Sequence, residues 1–145
     1  MALCRCLTAN QKNYATMRIK PAKGDFQLSL GDRGEMIAAG YLAEQGYQVL
    51  DKKVRAPFGE LDLVAQKDGR VIFVEVKTRS TPQFGLPEEA VDLAKQKQLT
   101  KLADWYLQKN KINKKPARFD VVALIYDGVN TPQIRHIENA FEAAA

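Results

Sequence analysis

The sequence of 145 residues has little cysteine and no long apolar run. Its two cysteines, Cys4 and Cys6, lie one residue apart, and no second pair of potential ligands accompanies them. This spacing predicts reduced thiols in a cytoplasmic protein and argues against a disulfide framework or a zinc site. No apolar run approaches the ~18 residues of a membrane-spanning helix, and the first residues lack the apolar stretch of a secretory signal.

Histidine is also scarce, since His136 is the only one. We interpret it as structural. The sequence contains no glycine-rich phosphate loop, no nucleophile elbow and no zinc-ligand spacing. These absences argue against a nucleotide-binding loop, a serine hydrolase of the elbow type and a zinc enzyme.

What the chain has is an apolar fraction of 46% and an uneven positive charge that totals +5. The length and composition predict a single globular domain with its own core. Residues 1–28 carry five basic side chains and one acidic, and residues 93–118 carry eight basic and one acidic. We expect 1–28 to be a flexible basic arm and 29–145 to be the folded domain. The basic segments are compatible with an anionic partner and equally with a lysine-rich surface that is simply solvated. They favour the anionic partner only if a cation-binding site accompanies them.

The pattern around Asp68-Gly69 predicts a central β-hairpin, because Asp-Gly between two apolar runs is a strong turn signal. The runs are residues 60–67 and 70–77. With Asp68 and Gly69 as the turn, the register predicts one wholly apolar sheet face, on which Leu61, Leu63 and Ala65 oppose Val76, Val74 and Ile72.

The same register predicts Asp62 opposite Glu75 and Glu60 opposite Lys77 on the other face. Like charges in that position destabilise a sheet. A bound divalent cation would remove the conflict, because Mg²⁺ takes carboxylate oxygens as ligands. The alternative is a solvated edge with a Glu60–Lys77 ion pair and two carboxylates that splay into water. The local pattern leaves both interpretations open.

The remaining elements indicate an α/β protein whose apolar sheet needs cover by helices. Asp32 and Glu35 form a capping-box pattern at the start of the first helix, and Pro87 suits the first turn of the second. The predicted order is α-β-β-β-α-β-β, with helices over 31–46 and 87–109, strands over 47–55, 60–67, 70–77, 118–126 and 133–137, and a short terminal helix over 139–145.

Two segments resemble the PD-(D/E)XK signature of the restriction-endonuclease-like nucleases. They are Gly59-Glu60-Leu61-Asp62 and Phe73-Val74-Glu75-Val76-Lys77-Thr78-Arg79. More widely, the chain resembles the YraN family of uncharacterised bacterial proteins over about residues 31–141. This wider likeness rests on Gly34-Glu35, Tyr41-Leu42, Gly46-Tyr47, Phe84-Gly85, Glu89-Ala90-Val91, Arg118-Phe119-Asp120-Val121-Val122 and His136-Ile137-Glu138-Asn139-Ala140-Phe141. Lys53 departs from the family, which usually has asparagine there.

The resemblance implies a restriction-endonuclease-like three-layer core, with a mixed central sheet of about five strands, similar to archaeal Holliday-junction resolvases. It implies that Asp62 and Glu75 bind Mg²⁺ or Mn²⁺, with the backbone carbonyl of Val76 as a further ligand. Glu35 would bind a second metal or its water. Lys77 would orient the attacking water or stabilise charge on the phosphoryl group.

The implied activity is metal-dependent hydrolysis of phosphodiesters in branched or structured DNA. The alternative is a catalytically silent module on the same fold that binds nucleic acid or a partner protein. A homodimer is left open. The nucleic acid is expected to contact a basic and polar set of residues, namely Lys95, Lys97, Gln98, Lys101, Arg79 and Arg55.

Overall fold

The computed structural model describes residues 15–16, 28–81 and 91–143. Its elements are two helices and six strands: β1 (Ala15–Thr16), α1 (Leu30–Glu44), β2 (Gln48–Ala56), β3 (Gly59–Lys67), β4 (Arg70–Arg79), α2 (Leu93–Lys109), β5 (Ala117–Ile125) and β6 (Gln133–Phe141). Apart from the two-residue β1, this is the predicted order. The rest of the predicted basic arm lies outside the described residues, except for Leu28.

The strands form one sheet in the order β1-β6-β5-β4-β3-β2. Strands β4 and β5 are parallel, and every other neighbouring pair is antiparallel. A parallel pair needs a crossover connection, which helix α2 supplies between β4 and β5. The predicted fold class, an α/β protein with a mixed central sheet between helices, is therefore confirmed.

The two faces of the sheet carry separate cores, one under each helix. The α1 core contains Ile37, Ala38, Ala39, Leu42, Tyr47, Leu63, Ala65, Ile72, Val74, Val122, Leu124 and Ile134. The α2 core contains Leu61, Val64, Val71, Phe73, Val91, Leu99, Leu102, Ala103, Tyr106, Leu107, Phe119 and Val121. Alternate residues of β4 and β5 enter opposite cores, which is why the central strands are apolar on both faces.

Both helices begin at residues other than those predicted. Ser29 caps α1, where its hydroxyl accepts a hydrogen bond from the Asp32 N–H at 3.1 Å. The predicted Asp32 cap and its box with Glu35 are therefore wrong. Helix α2 starts at Leu93, after Asp92 accepts from the Lys95 N–H at 2.8 Å. The predicted start at residue 87 is wrong as well, since Asp92 caps the helix with extended backbone; residues 82–90 themselves lie outside the described part of the chain.

The predicted terminal helix is also wrong within the described residues, because β6 continues to Phe141. Long-range contacts explain the extension. The ring of Phe141 stacks on Phe119 with centroids 4.7 Å apart, and the Asn139 N–H donates to a side-chain oxygen of Asp120 on β5. Both contacts come from a strand distant in sequence, so a local pattern of helix-favouring alanines did not predict them.

The central hairpin has the predicted turn and register, with Lys67 opposite Arg70 and Leu63 opposite Val74. The ladder between β3 and β4 ends there. Beyond it, the Val76 N–H donates to Oδ2 of Asp62 at 2.9 Å instead of to the β3 backbone. Leu61 consequently lies in the α2 core rather than beside Leu63, so its predicted place on the α1 face is wrong. Within the described residues, no helix is long and apolar enough to cross a membrane.

Candidate metal and phosphate site

The candidate site lies where β3 and β4 separate. Past the last ladder pair, the side chain of Asp62 enters the space between the strands and accepts the Val76 N–H. The N–H and C=O of one strand residue point to the same side, so the Val76 carbonyl faces Asp62 as well. This opening brings a carboxylate and a main-chain oxygen together at one end of the hairpin.

Glu75 is the most buried acidic group of the site, with 5% of its side chain exposed. Its Oε1 lies 3.2 Å from Nζ of Lys77 and 3.5 Å from Nζ of Lys95. Its Oε2 is buried and, in the described part of the chain, has no hydrogen-bond partner. A buried carboxylate oxygen left unpaired is costly, which makes this atom the strongest sign of a ligand at the site.

The pKa of Asp62 is raised from 3.8 to about 7. Burial is the largest cause, and the negative charge of Glu75 is the next; the hydrogen bond from the Val76 N–H acts in the opposite direction. Without a cation, the two carboxylates therefore ionise together only at a substantial free-energy cost. The predicted conflict between them is present, although the two residues are not a ladder pair.

The predicted contact between Glu60 and Lys77 is wrong. Glu60 instead pairs with Arg55 at 3.0 Å, while Lys77 turns to Glu75. The register explains the exchange, because Glu60 lies opposite Arg55 in the β2–β3 ladder and outside the β3–β4 ladder, which ends at the Leu63–Val74 pair. The picture of two carboxylates splayed into water also fails, because Glu75 is buried.

Glu35 approaches the site from α1, on the other side of the sheet from α2. Its Oε2 lies 3.8 Å from Nζ of Lys53. Burial raises the pKa of Glu35 above its usual range, the charge of Lys53 opposes that rise, and nearby carboxylates that include Glu75 add to it. Lys53 itself has a left-handed backbone with φ of 48°, a conformation that asparagine adopts more readily than lysine. Glu35 is thus coupled to the carboxylate pair by charge, and it shares Lys53 with Asp32, to which that lysine donates a hydrogen bond.

The predicted nucleic-acid contacts divide into two groups. Lys95 is a member of the site itself through its contact with Glu75. Gln98 is engaged elsewhere, because its Nε2 donates to the Phe58 carbonyl at 3.1 Å and packs on Gly59. The other four, Lys97, Lys101, Arg55 and Arg79, are exposed. Lys97 and Lys101 are one helical turn apart on α2, and Arg79 ends β4.

A glycine fixes how α1 meets this region. A Cβ added to Gly34 would lie 1.9 Å from Oγ1 of Thr78, a residue of β4 one position beyond Lys77. Only glycine allows this approach without a shift of helix or strand. The sequence showed Gly34 beside Glu35 but gave no reason for it, because the reason is a contact 44 residues away.

A second polar cluster surrounds Asp120, which sequence reasoning left without a role. Arg118 donates to both of its carboxylate oxygens at 2.8 Å, and His136 Nε2 lies 2.7 Å from Oδ2. Burial would raise the pKa of Asp120, but the hydrogen bonds of His136, Arg118 and the Asn139 N–H outweigh it and lower that pKa. Every partner is a β5 or β6 residue, so the cluster joins two strands. The interpretation of His136 as structural agrees with these contacts.

Comparison with known proteins gives the family. The model of an uncharacterised protein family, UPF0102, matches residues 34–124, which is more than half of the chain. The chain belongs to the UPF0102 family. The predicted YraN resemblance is thereby confirmed, since the two names denote the same family. The matched region contains the whole carboxylate and lysine site, and it ends before β6.

Relatives in UPF0102 match over nearly their full length. The UPF0102 protein of Syntrophotalea carbinolica is 47% identical over 116 residues, which are 80% of this chain and 94% of the relative. That of Trichlorobacter lovleyi is 43% identical over 125 residues, 86% of this chain and 98% of the relative. That of Thermodesulfovibrio yellowstonii is 43% identical over 115 residues, 79% and 97%. The similarity to PD-(D/E)XK nucleases stays a prediction.

Proposed function

We propose that this protein is a metal-dependent hydrolase of phosphodiester bonds in nucleic acid, with branched or structured DNA as its substrate. The observation that carries the proposal is the buried Oε2 of Glu75 next to Asp62, which has no hydrogen-bond partner in the part of the chain that the structure describes. Structural carboxylates are normally satisfied by the fold, as Asp120 is by Arg118 and His136. In the Asp62–Glu75 pair, Oε2 of Glu75 has no such partner among the described residues, so the pair has capacity for a ligand.

The donor set fits Mg²⁺ or Mn²⁺. Among the described residues, no three His, Cys, Asp or Glu side chains converge as a metal-binding group. Mg²⁺ does not require that, because it usually binds through one or two carboxylates and keeps waters and substrate phosphate oxygens as its other ligands. Asp62 and Glu75 would supply the carboxylates, and the Val76 carbonyl would be a neutral oxygen ligand. Glu35 lies on the Lys53 side and would act on a water rather than bind directly.

A bound cation would supply Lewis acidity and lower the pKa of its water. The chain's own residues would do the rest. Lys77 holds the orientation of Glu75 through Oε1 and places an ammonium group where negative charge develops on the phosphoryl oxygens. Asp62 would be ionised as a ligand, because a bound cation favours the charged form that burial and Glu75 oppose in the metal-free site. Burial of Glu75 excludes water from that carboxylate and strengthens its interactions.

The basic surface beside the site supports a nucleic acid as substrate. Lys97 and Lys101 are exposed on the helix that delivers Lys95 to Glu75. Lysines of this kind contact backbone phosphates and carry no base readout. Recognition would therefore depend on the shape of the nucleic acid, which is the reason for proposing branched substrates.

Cleavage assays with defined substrates test the proposal. Purified protein is incubated with junction, flap, single-stranded and duplex DNA in Mg²⁺, in Mn²⁺ and in EDTA. We expect metal-dependent cleavage that Asp62→Ala and Glu75→Gln each abolish, while the matched surface variant Glu142→Gln retains it. Cleavage that persists in EDTA, or that is unchanged in the two site variants, would refute the assignment.

The second candidate function is a catalytically silent module that binds nucleic acid. One observation favours it. Two lysines neutralise Glu75, and the raised pKa of Asp62 allows that carboxyl to stay protonated, so the charges of the site are balanced without a metal ion. Calorimetric titration with Mn²⁺ separates the candidates. No heat of metal binding, together with salt-sensitive DNA binding, would select the silent module.

A further inference from the structure

Lys95 is in an unusual position for a lysine of a nucleic-acid-binding surface. Its ammonium group lies 3.5 Å from Oε1 of Glu75, the oxygen that Lys77 already approaches at 3.2 Å. One carboxylate oxygen thus faces two cations, while the other has no partner in the described residues. The two ammonium groups match the combined charge of Glu75 and Asp62, but both lie at one oxygen of Glu75.

We propose that Lys95 couples metal binding to phosphate binding, so that each of the two ligands binds tightly only when the other is present. The inference rests on the proposed metal site. In the free protein, Lys95 is a counter-ion of Glu75 and opposes a divalent cation at the same carboxylate. When a cation binds, the site has two carboxylates against the cation and two ammonium groups, which leaves a net positive charge. A phosphate of the nucleic-acid backbone neutralises it.

The position of Lys95 in the chain supports this exchange. It lies in the first turn of α2, and its own N–H is fixed by the Asp92 cap at 2.8 Å. Its backbone is therefore anchored, while its long side chain, 31% exposed, is free to rotate from the carboxylate toward solvent and a phosphate. Lys77 is on β4, two residues after Glu75 on the same strand, whereas Lys95 comes to Glu75 from α2. The two lysines are thus not equivalent.

Coupling of this kind is reciprocal, so it is measurable from either ligand. The variants are Lys95→Gln, which removes the charge, and Lys95→Arg, which retains it. Lys97→Gln is the matched control, an exposed lysine of the same helix with no contact to Glu75 among the ion pairs of the described residues. Circular dichroism melts confirm that each variant is folded. None of these measurements depends on cleavage.

The first measurement is the Mn²⁺ affinity of the free protein by calorimetry. We expect Lys95→Gln to bind Mn²⁺ about fivefold or more tightly than wild type, which is the lower end of typical coupling between linked sites. Lys95→Arg and Lys97→Gln should match wild type. Equal Mn²⁺ affinity in wild type and Lys95→Gln would refute the role of Lys95 and leave the metal site intact. No Mn²⁺ binding in any of the proteins would refute the proposed metal function and, with it, this inference.

The second measurement is DNA affinity by fluorescence anisotropy, with and without Mn²⁺. The probe is a phosphorothioate DNA junction, which keeps the backbone charge and resists hydrolysis. Wild type and Lys97→Gln should bind the junction about fivefold or more tightly when Mn²⁺ is added, and Lys95→Gln should lose that enhancement. An undiminished enhancement in Lys95→Gln would overturn the proposal.

Discussion

Replacement of Asp62 by asparagine should stabilise the metal-free protein, and the gain should depend on pH. The ordinary pKa of an aspartate is 3.8, and in the folded protein that of Asp62 is about 7. Between these values the folded protein keeps a proton on Asp62 that the unfolded chain has lost. Stability therefore falls as pH rises through this window and is constant above it. Since one pKa unit corresponds to ~1.4 kcal/mol, a rise of roughly three units means that the ionised carboxylate costs the metal-free fold up to about 4 kcal/mol above pH 7.

Asparagine removes the charge but keeps the hydrogen bond, because its amide oxygen still accepts the Val76 N–H that now donates to Asp62 at 2.9 Å. Alanine removes both. It leaves the Val76 N–H unpaired, which costs about 1–3 kcal/mol. In EDTA at pH 8 we therefore expect Asp62→Asn to be the most stable of the three proteins, and Asp62→Ala to melt below it.

Thermal melts at pH 5 and pH 8, in EDTA and in Mn²⁺, test this reasoning. A domain of this size gains about 3 °C in Tm per kcal/mol, so the advantage of Asp62→Asn at pH 8 should be several degrees and smaller at pH 5. In Mn²⁺ at ~100 times Kd, wild type should gain about 2.7 kcal/mol of stability that the variant lacks. The difference in Tm between the two proteins should therefore become smaller or change sign. An Asp62→Asn protein less stable than wild type in EDTA at pH 8 would show that the carboxylate is structural.

Three further predictions follow from other contacts. Gly34→Ala should destabilise the fold by about 1–3 kcal/mol in urea unfolding, because the added Cβ meets Thr78. The second substitution Thr78→Ala should restore part of the loss, and a urea midpoint unchanged by Gly34→Ala would contradict the close approach. Asp120→Asn should lower the free energy of unfolding by about 3–5 kcal/mol in the same assay, since it leaves the Arg118 guanidinium without its buried carboxylate. A loss under 1 kcal/mol would contradict a stabilising role for the Asp120–Arg118 pair. Lys97→Gln should weaken DNA binding equally for all sequences and reduce the salt slope by about one, as measured by anisotropy; an unchanged slope would exclude a phosphate contact.

The local pattern determined the elements and the composition of the site. Alternation and the Asp68-Gly69 turn predicted the hairpin and its register, because both depend on neighbours in sequence. Helical spacing of apolar residues predicted both helices, though not where they start. The resemblance of the sequence predicted the family, which the comparison confirmed. It also singled out Asp62, Glu75 and Lys77, which the structure brings together.

Only the tertiary structure decided which charges meet. Glu60 pairs with Arg55 rather than Lys77, because Arg55 lies opposite it on β2 and the β3–β4 ladder does not extend to the residues before Leu63. No local pattern marks the end of that ladder. Lys95 reached Glu75 because α2 packs over β4, a contact between segments 20 residues apart.

Burial was decided at the same level. A sequence lists carboxylates without their solvent exposure. The pKa of Asp62 is raised by burial and by Glu75, and one oxygen of Glu75 is buried without a partner among the described residues; both facts depend on how the strands and helices pack. Gly34 and Asp120 acquired their roles in the same way, through partners on distant strands. The residue types of the site are local information, whereas their ionisation and pairing depend on three-dimensional packing, because charge interactions act through space and not along the chain.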